Sequence, residues 1–155
     1  MKGNTKMIET LNGLLADELT AINQYMVHSE MCSNWGYEKI HKADEKRAID
    51  EMKHAEKLIG RILFFEGIPV VSNLKKIMIG SDVAAQHRND WNSELDAIVS
   101  YNEAIKIAVD CADNGTRELL GSILKEEEAH LDWLEAQLEQ ISQMGIQNYL
   151  ADQLG

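Results

Sequence analysis

The sequence predicts an all-α protein of one domain, residues 1–155, with a four-helix bundle, one long crossover loop and a short C-terminal fifth helix. One proline and ten glycines interrupt a chain rich in good helix formers, so helices are favoured over strands. Apolar residues recur at steps of three and four along four long segments, as on the buried face of a helix. The stretch between the second and third segments lacks this periodicity, which is typical of a bundle with a crossover connection.

The first helix is predicted from Thr5 to about Asn34. A turn at Trp35–Gly36 separates it from a second helix that extends to about Phe65. If these two helices form an antiparallel hairpin, residues that are equally distant from the turn lie level with each other.

The crossover loop is predicted from Glu66 to Ser81, where glycine, proline, serine and asparagine replace the apolar stripe. At about 3.3 Å per residue it spans roughly 55 Å, more than the roughly 45 Å of the preceding helix, so it can cross the whole bundle. The remaining elements, in order, are a third helix capped at Ser81–Asp82 and extending to Ala112, a turn at Asp113–Thr116, a fourth helix extending to Gly145, and a short fifth helix within residues 146–154.

Two Glu-x-x-His motifs lie on the second and fourth predicted helices, at Glu51–His54 and Glu127–His130. A spacing of three puts both side chains of each motif on one helix face. On the preceding helix, another glutamate stands 33 positions before each motif: Glu18 and Glu94. All six residues fall on the apolar stripes, so four carboxylates and two imidazoles are expected inside the bundle.

An unpaired buried carboxylate costs several kcal/mol, and four that face each other also repel. Two divalent cations would neutralise four glutamates, with neutral imidazoles completing the coordination. Mixed oxygen and imidazole ligands suit iron or manganese better than structural zinc, and the pattern is that of di-iron and di-manganese carboxylate bundles. One Glu-x-x-His alone could equally lie on a solvated face, but its duplication favours a metal site. Glu126 and Glu128, which flank Glu127, are expected to be ordinary surface charges.

The net charge of -11 argues against a nucleic-acid partner, which would need a basic surface. No apolar run approaches the roughly 20 residues of a membrane span, and the N-terminus lacks the pattern of a signal peptide. Cys32 and Cys111 have no partner motif, so neither a disulfide framework nor a cysteine metal site is supported, and both are expected to be buried thiols. We therefore expect a cytoplasmic protein.

Longer stretches add to the ligand spacing: Met1–Gly3, Glu18–Tyr25, Ile49–Ala55, Arg61–Phe64, His130–Glu135 and Met144–Leu150. In these stretches the sequence resembles the bacterioferritins, the heme-containing ferritins, and the resemblance covers nearly the whole chain. It implies a ferritin-like four-helix bundle that assembles as a homo-oligomeric hollow shell of 24 subunits. It further implies a ferroxidase, which oxidises Fe(II) with O2 or H2O2 and stores the iron as a ferric mineral.

The resemblance also implies a di-iron centre with two Fe per subunit, bridged by Glu51 and Glu127. Its six ligands would be Glu18, Glu51, His54, Glu94, Glu127 and His130.

A heme of the b type, shared by two subunits, is implied by the resemblance, with Met52 of each subunit as an iron ligand. One residue is about 100° around a helix, so Met52 should face away from the metal core. The expected apolar wall of this pocket is Leu19, Ile22, Asn23, Met26 and Ile49. Stored iron would leave by reduction, with electrons supplied through the heme by a small ferredoxin.

The chain departs from the family at Lys46, where many relatives have a histidine that acts with Asp50 as an inner-surface iron relay. A protonated lysine is a poor ligand, so the resemblance does not carry that relay over. Arg47 lies one turn from Glu51 and could pair with either Asp50 or Glu51.

Tyr25 and Tyr101 each follow a ligand glutamate by one heptad, where a phenol could hydrogen-bond the ligand, give up an electron, or simply pack. Tyr25 is included among the candidate catalytic residues. Asn34, Glu66 and Asp132 match polar residues that line an inter-subunit pore in the family.

Two rival interpretations stay open. One is a di-iron oxidase or peroxidase of the rubrerythrin-like type that does not store iron, although such proteins usually add a four-cysteine site that this chain cannot build. The other is a helical assembly protein whose metal site is only structural.

Overall fold

The computed structural model describes residues 1–155, and it confirms an all-helical bundle with a long crossover and a short fifth helix. The helices are α1 (Thr5–Trp35), α2 (Glu38–Phe64), α3 (Val83–Asp110), α4 (Asn114–Met144) and α5 (Ile146–Ala151). The helix α1 packs mainly on α2, and α3 packs mainly on α4. None of the five combines the length and hydropathy that a bilayer crossing requires.

The ends of α1 show why the first hairpin forms where the sequence predicts it. The side chain of Asn4 accepts a hydrogen bond from the backbone N–H of Met7 and so caps the first turn. At the other end, Gly36 has φ of 85°, a left-handed conformation that glycine adopts without a steric cost. The chain reverses there and returns as α2.

The crossover loop has no regular secondary structure and contacts α1 from Asn12 to His28. Four of its backbone N–H groups are bound by α1 side chains. Each of these bonds satisfies a loop donor that would otherwise lack a protein partner. The pairs are Val70 N to Asn12 (2.8 Å), Lys75 N to Thr20 (2.9 Å), Met78 N to Gln24 (3.0 Å) and Gly80 N to His28 (3.0 Å). The loop delivers the chain to Asp82, whose side chain caps α3 as predicted.

The predicted turn at Asp113–Thr116 is wrong in extent, because α4 already begins at Asn114. Asp113 caps the helix by accepting a hydrogen bond from the N–H of Thr116 at 3.0 Å. Arg61 of α2 donates to the same carboxylate at 3.0 Å and holds this end of the bundle together. The Asn114–Gly115 pair, although typical of a turn, therefore lies in the first turn of a helix.

The apolar core occupies one end of the bundle, and a smaller cluster occupies the other. The main core comprises Met7, Leu11, Leu14, Leu15, Ala55, Leu58, Ile62, Phe65, Tyr101, Ala104, Ala108, Leu120 and Ile123. At the far end, Tyr149 anchors α5 in a cluster with Cys32, Ile40 and Val83. Cys32 is buried as expected, whereas Cys111 is only half-buried because it follows the last turn of α3. The interior between the two clusters is polar.

Candidate metal centre

The polar interior brings all six predicted ligands together. They form two overlapping groups of four, in which one potential ligand atom from each residue lies within 4.8 Å of the others. The groups are Glu18, Glu51, His54 and Glu127, and Glu51, Glu94, Glu127 and His130. Glu51 and Glu127 belong to both. The six predicted ligands are thus close enough to hold metal, and the assignment of Glu51 and Glu127 as bridges stays a prediction.

All six side chains are buried, and the least buried, His130, is 7% exposed. The two imidazoles turn Nδ1 towards the cluster. Nδ1 of His54 lies 2.7 Å from Glu127 Oε1, and Nδ1 of His130 lies 2.9 Å from Glu51 Oε1. These pairs are close but misaligned for hydrogen bonding, so the charges that face each other are not satisfied within the protein.

Each of the six residues has at least one buried polar atom without a hydrogen-bond partner. These atoms are Glu18 Oε2, Glu51 Oε1, His54 Nδ1, Glu94 Oε2, both carboxylate oxygens of Glu127, and His130 Nδ1. Such orphans are rare in protein interiors because each carries an uncompensated desolvation cost. The oxygens and imidazole nitrogens converge on one region, so the residues present fit a pair of divalent cations.

The protonation of the centre reflects the same crowding of charge. Burial raises the pKa of Glu18 well above its usual value, and the neighbouring Glu51 carboxylate raises it further. Burial alone would lower the pKa of His54, but the carboxylates of Glu18 and Glu51 outweigh it and raise that pKa to about 11. Burial also lowers the pKa of His130, but Glu51 and Glu94 outweigh this effect and raise that pKa to about 10. Without metal, the centre therefore retains protons that a cation must displace.

The outer nitrogen of each imidazole contacts the carboxylate that directly precedes the other Glu-x-x-His motif. Nε2 of His54 lies 2.7 Å from Glu126, and Nε2 of His130 lies 2.9 Å from Asp50. An ionised carboxylate only accepts hydrogen bonds, so Nε2 carries the proton and Nδ1 is left to face the centre. Asp50 and Glu126 are the residues directly before Glu51 and Glu127, and this shared position was the available sequence signal.

The expectation that Glu126 is an ordinary surface charge is therefore wrong. Its side chain is 48% exposed, but the carboxylate reaches inward to His54 because α4 packs against α2 at this level. Glu128 is exposed, as expected. Lys46 is exposed and donates to Asp50 at 2.9 Å, so the residue that departs from the family pattern touches the outer partner of His130.

The two glutamates outside the motifs are each held by a tyrosine. The hydroxyl of Tyr25 donates to Glu94 at 2.7 Å, and that of Tyr101 donates to Glu18 at 2.5 Å. Of the roles predicted for these phenols, the hydrogen bond to a ligand glutamate is present in both cases. Both rings are also fully buried.

Arg47 pairs with neither Asp50 nor Glu51, contrary to the prediction. Its Nη2 donates to Asp44 and to Asp90, each at 2.7 Å. Asp90 lies on α3, 43 positions away in the sequence, so no local pattern indicates this contact.

Met52 lies outside the centre and is 45% exposed, as the helix geometry predicts. It borders a groove of about 350 Å³ between α1 and α2. Three of the five expected wall residues line the groove: Ile22, Met26 and Ile49. Leu19 packs on the main core and Asn23 hydrogen-bonds the Leu19 carbonyl within its own helix, so neither borders the groove of the single chain and their place in the wall stays a prediction. Ser29, Glu30, Glu45 and Ala48 complete the lining.

A second cavity, of about 420 Å³, lies beneath the crossover loop and reaches the centre. Glu18, Glu51 and Glu127 form part of its wall. Near the surface it is bordered by Lys75, which forms an ion pair with Asp17. Polar side chains thus line a connection between the protein surface and the candidate ligands.

The predicted pore residues are not brought together within one chain. Asn34 lies near the end of α1, Glu66 follows the end of α2 at the opposite end of the bundle, and Asp132 is exposed on α4. Their role at an inter-subunit pore stays a prediction.

Comparison with known proteins agrees with this architecture. The sequence model of the ferritin-like domain family matches residues 8–144, which include the four long helices except for the first three residues of α1. The chain is 40% identical to a bacterioferritin of Brucella melitensis over 149 residues, or 96% of this chain and 92% of that protein. It is 38% identical to a bacterioferritin of Rhodobacter capsulatus, with the same coverage. A bacterial ferritin of Synechocystis is 39% identical over 99% of both chains.

Proposed function

The chain belongs to the bacterioferritin family, and from this we propose that it is an iron-storage ferroxidase. It would oxidise Fe(II) with O2 or H2O2 at the buried centre and store the product as a ferric mineral inside a hollow shell of 24 copies. The observation that carries this proposal is the pair of overlapping four-residue groups that share Glu51 and Glu127, together with their unpartnered ligand atoms.

The six residues would bind two Fe(II) ions at adjacent positions. Glu18 and His54 would bind one ion, Glu94 and His130 the other, and Glu51 and Glu127 would bridge them. Each Fe(II) supplies one electron, so an adjacent pair can reduce O2 or H2O2 by two electrons. Four carboxylates balance the charge of two divalent cations, which removes the repulsion that the metal-free centre contains.

The outer partners prepare the imidazoles for this role. Asp50 and Glu126 hold the Nε2–H groups of His130 and His54, so the Nδ1 atoms face the ions. When Fe(II) binds, the protons held at Nδ1 must leave the centre. The polar cavity beneath the crossover loop supports passage of a hydrated cation and of the oxidant between the surface and Glu18.

We further propose that the groove beside Met52 holds half of a heme of the b type, with a second copy of the chain supplying the other half. The residues fit this group, because an exposed thioether projects beside apolar walls from Ile22, Met26 and Ile49. A heme there would provide an electron path for reductive release of iron, with a small ferredoxin as reductant.

The test is an anaerobic Fe(II) titration of the metal-free assembled protein, followed by admission of air. We expect a fast rise in ferric absorbance that saturates at two Fe(II) per chain, followed by uptake far beyond that ratio. If uptake stopped at saturation, the chain would be a non-storing oxidase of the rubrerythrin-like type. Absence of the fast phase would contradict the ferroxidase assignment.

A further inference from the structure

A buried ionic cluster lies beside the metal centre and takes no part in the proposed ligand set. Its members, which we call the Arg47 cluster, are Gln24, His28, Asp44, Arg47 and Asp90. Arg47 is 4% exposed and bridges Asp44 and Asp90 at 2.7 Å each. Asp90 also accepts from Gln24 at 2.8 Å and lies 2.9 Å from His28 Nδ1. The cluster joins α1, α2 and α3.

The fold does not require polar residues at these positions. The two halves of the chain are related by an offset of 76 positions, which places Glu18 on Glu94 and Glu51 on Glu127. The same offset pairs four of the five members with the main apolar core: His28 with Ala104, Asp44 with Leu120, Arg47 with Ile123, and Asp90 with Leu14. Buried ion networks are often no more stabilising than apolar packing, so stability alone does not account for polar residues here.

Two paths connect Arg47 to the ligand Glu94. The guanidinium lies over the ring of Tyr25, with its central carbon 4.4 Å from the ring centroid, and the Tyr25 hydroxyl donates to Glu94 at 2.7 Å. In addition, Asp90 precedes Glu94 by one turn of α3, so the Arg47–Asp90 pair fixes the same turn of helix. Arg47 has no hydrogen-bond partner at Nε or Nη1, and Trp133 lies 5.3 Å from it, so stacking on Tyr25 and Trp133 orients the group.

We propose that Arg47 is a positioning residue of the metal centre, which holds Glu94 in its ligand position before metal arrives. Glu94 faces the carboxylates of Glu51 and Glu127, and their repulsion favours its displacement in the metal-free protein. Arg47 opposes this movement by clamping Tyr25 and the Asp90 turn. The inference rests on the proposed function, since it takes the centre to be a metal site.

The test is a Co(II) titration of the metal-free assembled protein, in which the visible absorption of bound Co(II) measures binding. In Arg47→Gln, the group that contains Glu94 should bind Co(II) about 10-fold more weakly, because residues behind metal ligands commonly change affinity by 10- to 100-fold. The group that contains Glu18 should keep its affinity. Arg47→Lys retains the charge but not the planar stacking group, so it should remain several-fold weaker than the unaltered protein.

Arg61→Gln is the matched control. Arg61 also lies on α2, pairs with Asp113 at 3.0 Å and stacks on Phe65 at 4.6 Å, but it is remote from the centre. Its loss should lower the unfolding temperature and leave Co(II) binding unchanged. An equal loss of affinity in Arg61→Gln would overturn the inference, because general destabilisation would then explain the result.

Tyr25→Phe tests the same connection if Arg47→Gln does not fold. This variant keeps the Arg47 cluster and the ring but removes the hydrogen bond to Glu94, so the same group should weaken. Normal Co(II) binding by Tyr25→Phe and Arg47→Lys would refute the positioning role. Failure of the unaltered protein to bind Co(II) at the centre would instead refute the proposed function.

Discussion

Glu126 on α4 places a carboxylate oxygen 2.7 Å from Nε2 of His54 on α2, and so connects the helices that carry the two Glu-x-x-His motifs. Asp50 and His130 make the reciprocal contact at 2.9 Å. Each of the two histidines is therefore held by a carboxylate from the other helix. In both cases that carboxylate directly precedes a ligand glutamate of its own helix.

Replacing Glu126 by alanine should weaken metal binding at the group that contains His54 by about 10-fold, because the imidazole loses the partner that fixes its tautomer. Zn(II) competition with a chromogenic chelator measures this change. Glu128→Ala removes the same charge from an exposed neighbour and should leave the affinity unchanged. Equal affinities in the two variants would show that the Glu126 contact has no function.

Glu94→Ala and His130→Ala should each abolish the fast phase of Fe(II) oxidation, since each removes a ligand from the same group of four. Stopped-flow absorbance at equal protein and iron concentrations measures the initial rate. Light scattering or sedimentation should show that the variants still assemble. An unaltered initial rate in either variant would overturn the ligand assignment.

The affinity of the metal-free centre for Co(II) should rise with pH. Neighbouring carboxylates overcome the effect of burial and raise the pKa of His54 to about 11 and of His130 to about 10, so both imidazoles are protonated near neutral pH. A cation must displace these protons, so binding should release acid, which a pH indicator dye in weak buffer detects. No proton release and a constant affinity between about pH 6 and 8 would contradict this account.

The same pKa values give the metal-free protein an opposite dependence of stability on pH. A folded-state histidine pKa above the usual value of 6.5 contributes stability that is complete below about 6.5 and is lost as pH rises towards 10 to 11. Thermal unfolding of the metal-free protein should therefore occur at lower temperature as pH rises through this range. Metal-loaded protein, in which the protons are already displaced, should not show that decline.

Met52→Leu should remove the heme absorption band while the assembly stays intact, because leucine keeps the volume but supplies no sulfur ligand. Met26→Leu is the control, since Met26 lines the same groove. It should retain the heme. Equal heme content in Met52→Leu and the unaltered protein would refute Met52 as the ligand.

Lys75→Gln should increase the rate of Fe(II) binding several-fold at low ionic strength, because it removes a cation from the outer border of the cavity. Lys106→Gln makes the same change of charge at an exposed site on α3 away from this cavity. It should have no such effect. If both variants accelerate binding equally, net charge and not the cavity is responsible.

Features with a repeating sequence pattern could be predicted from the sequence. Helical periodicity located the four long helices and the crossover, and the duplicated spacing located all six residues of the centre. The start of α4 was misjudged because the Asn114–Gly115 pair suggests a turn, whereas the Asp113 side chain caps a helix there. The residues around Asp113 do not by themselves show whether the chain forms a turn or starts a capped helix there.

Contacts between distant helices could not be predicted in this way. Arg47 is paired by Asp90, and that partner depends on how α2 and α3 face each other across the bundle. The role of Glu126 was missed for a different reason. Glu126 precedes Glu127 just as Asp50 precedes Glu51. This shared position predicts a contact with histidine only when the outward direction of each Nε2 atom is known, and the sequence does not give that direction.

The 76-residue offset gives the chain an approximate internal two-fold symmetry. The four hydrogen bonds that hold ligands from outside the centre cross between the halves: Tyr25 with Glu94, Tyr101 with Glu18, His54 with Glu126, and His130 with Asp50. Two identical helical hairpins that associate around a two-fold axis would generate the same set without any crossover. The chain thus has the internal symmetry of two hairpins joined by a tether, and the Arg47 cluster, to which both halves contribute, is a departure from that symmetry.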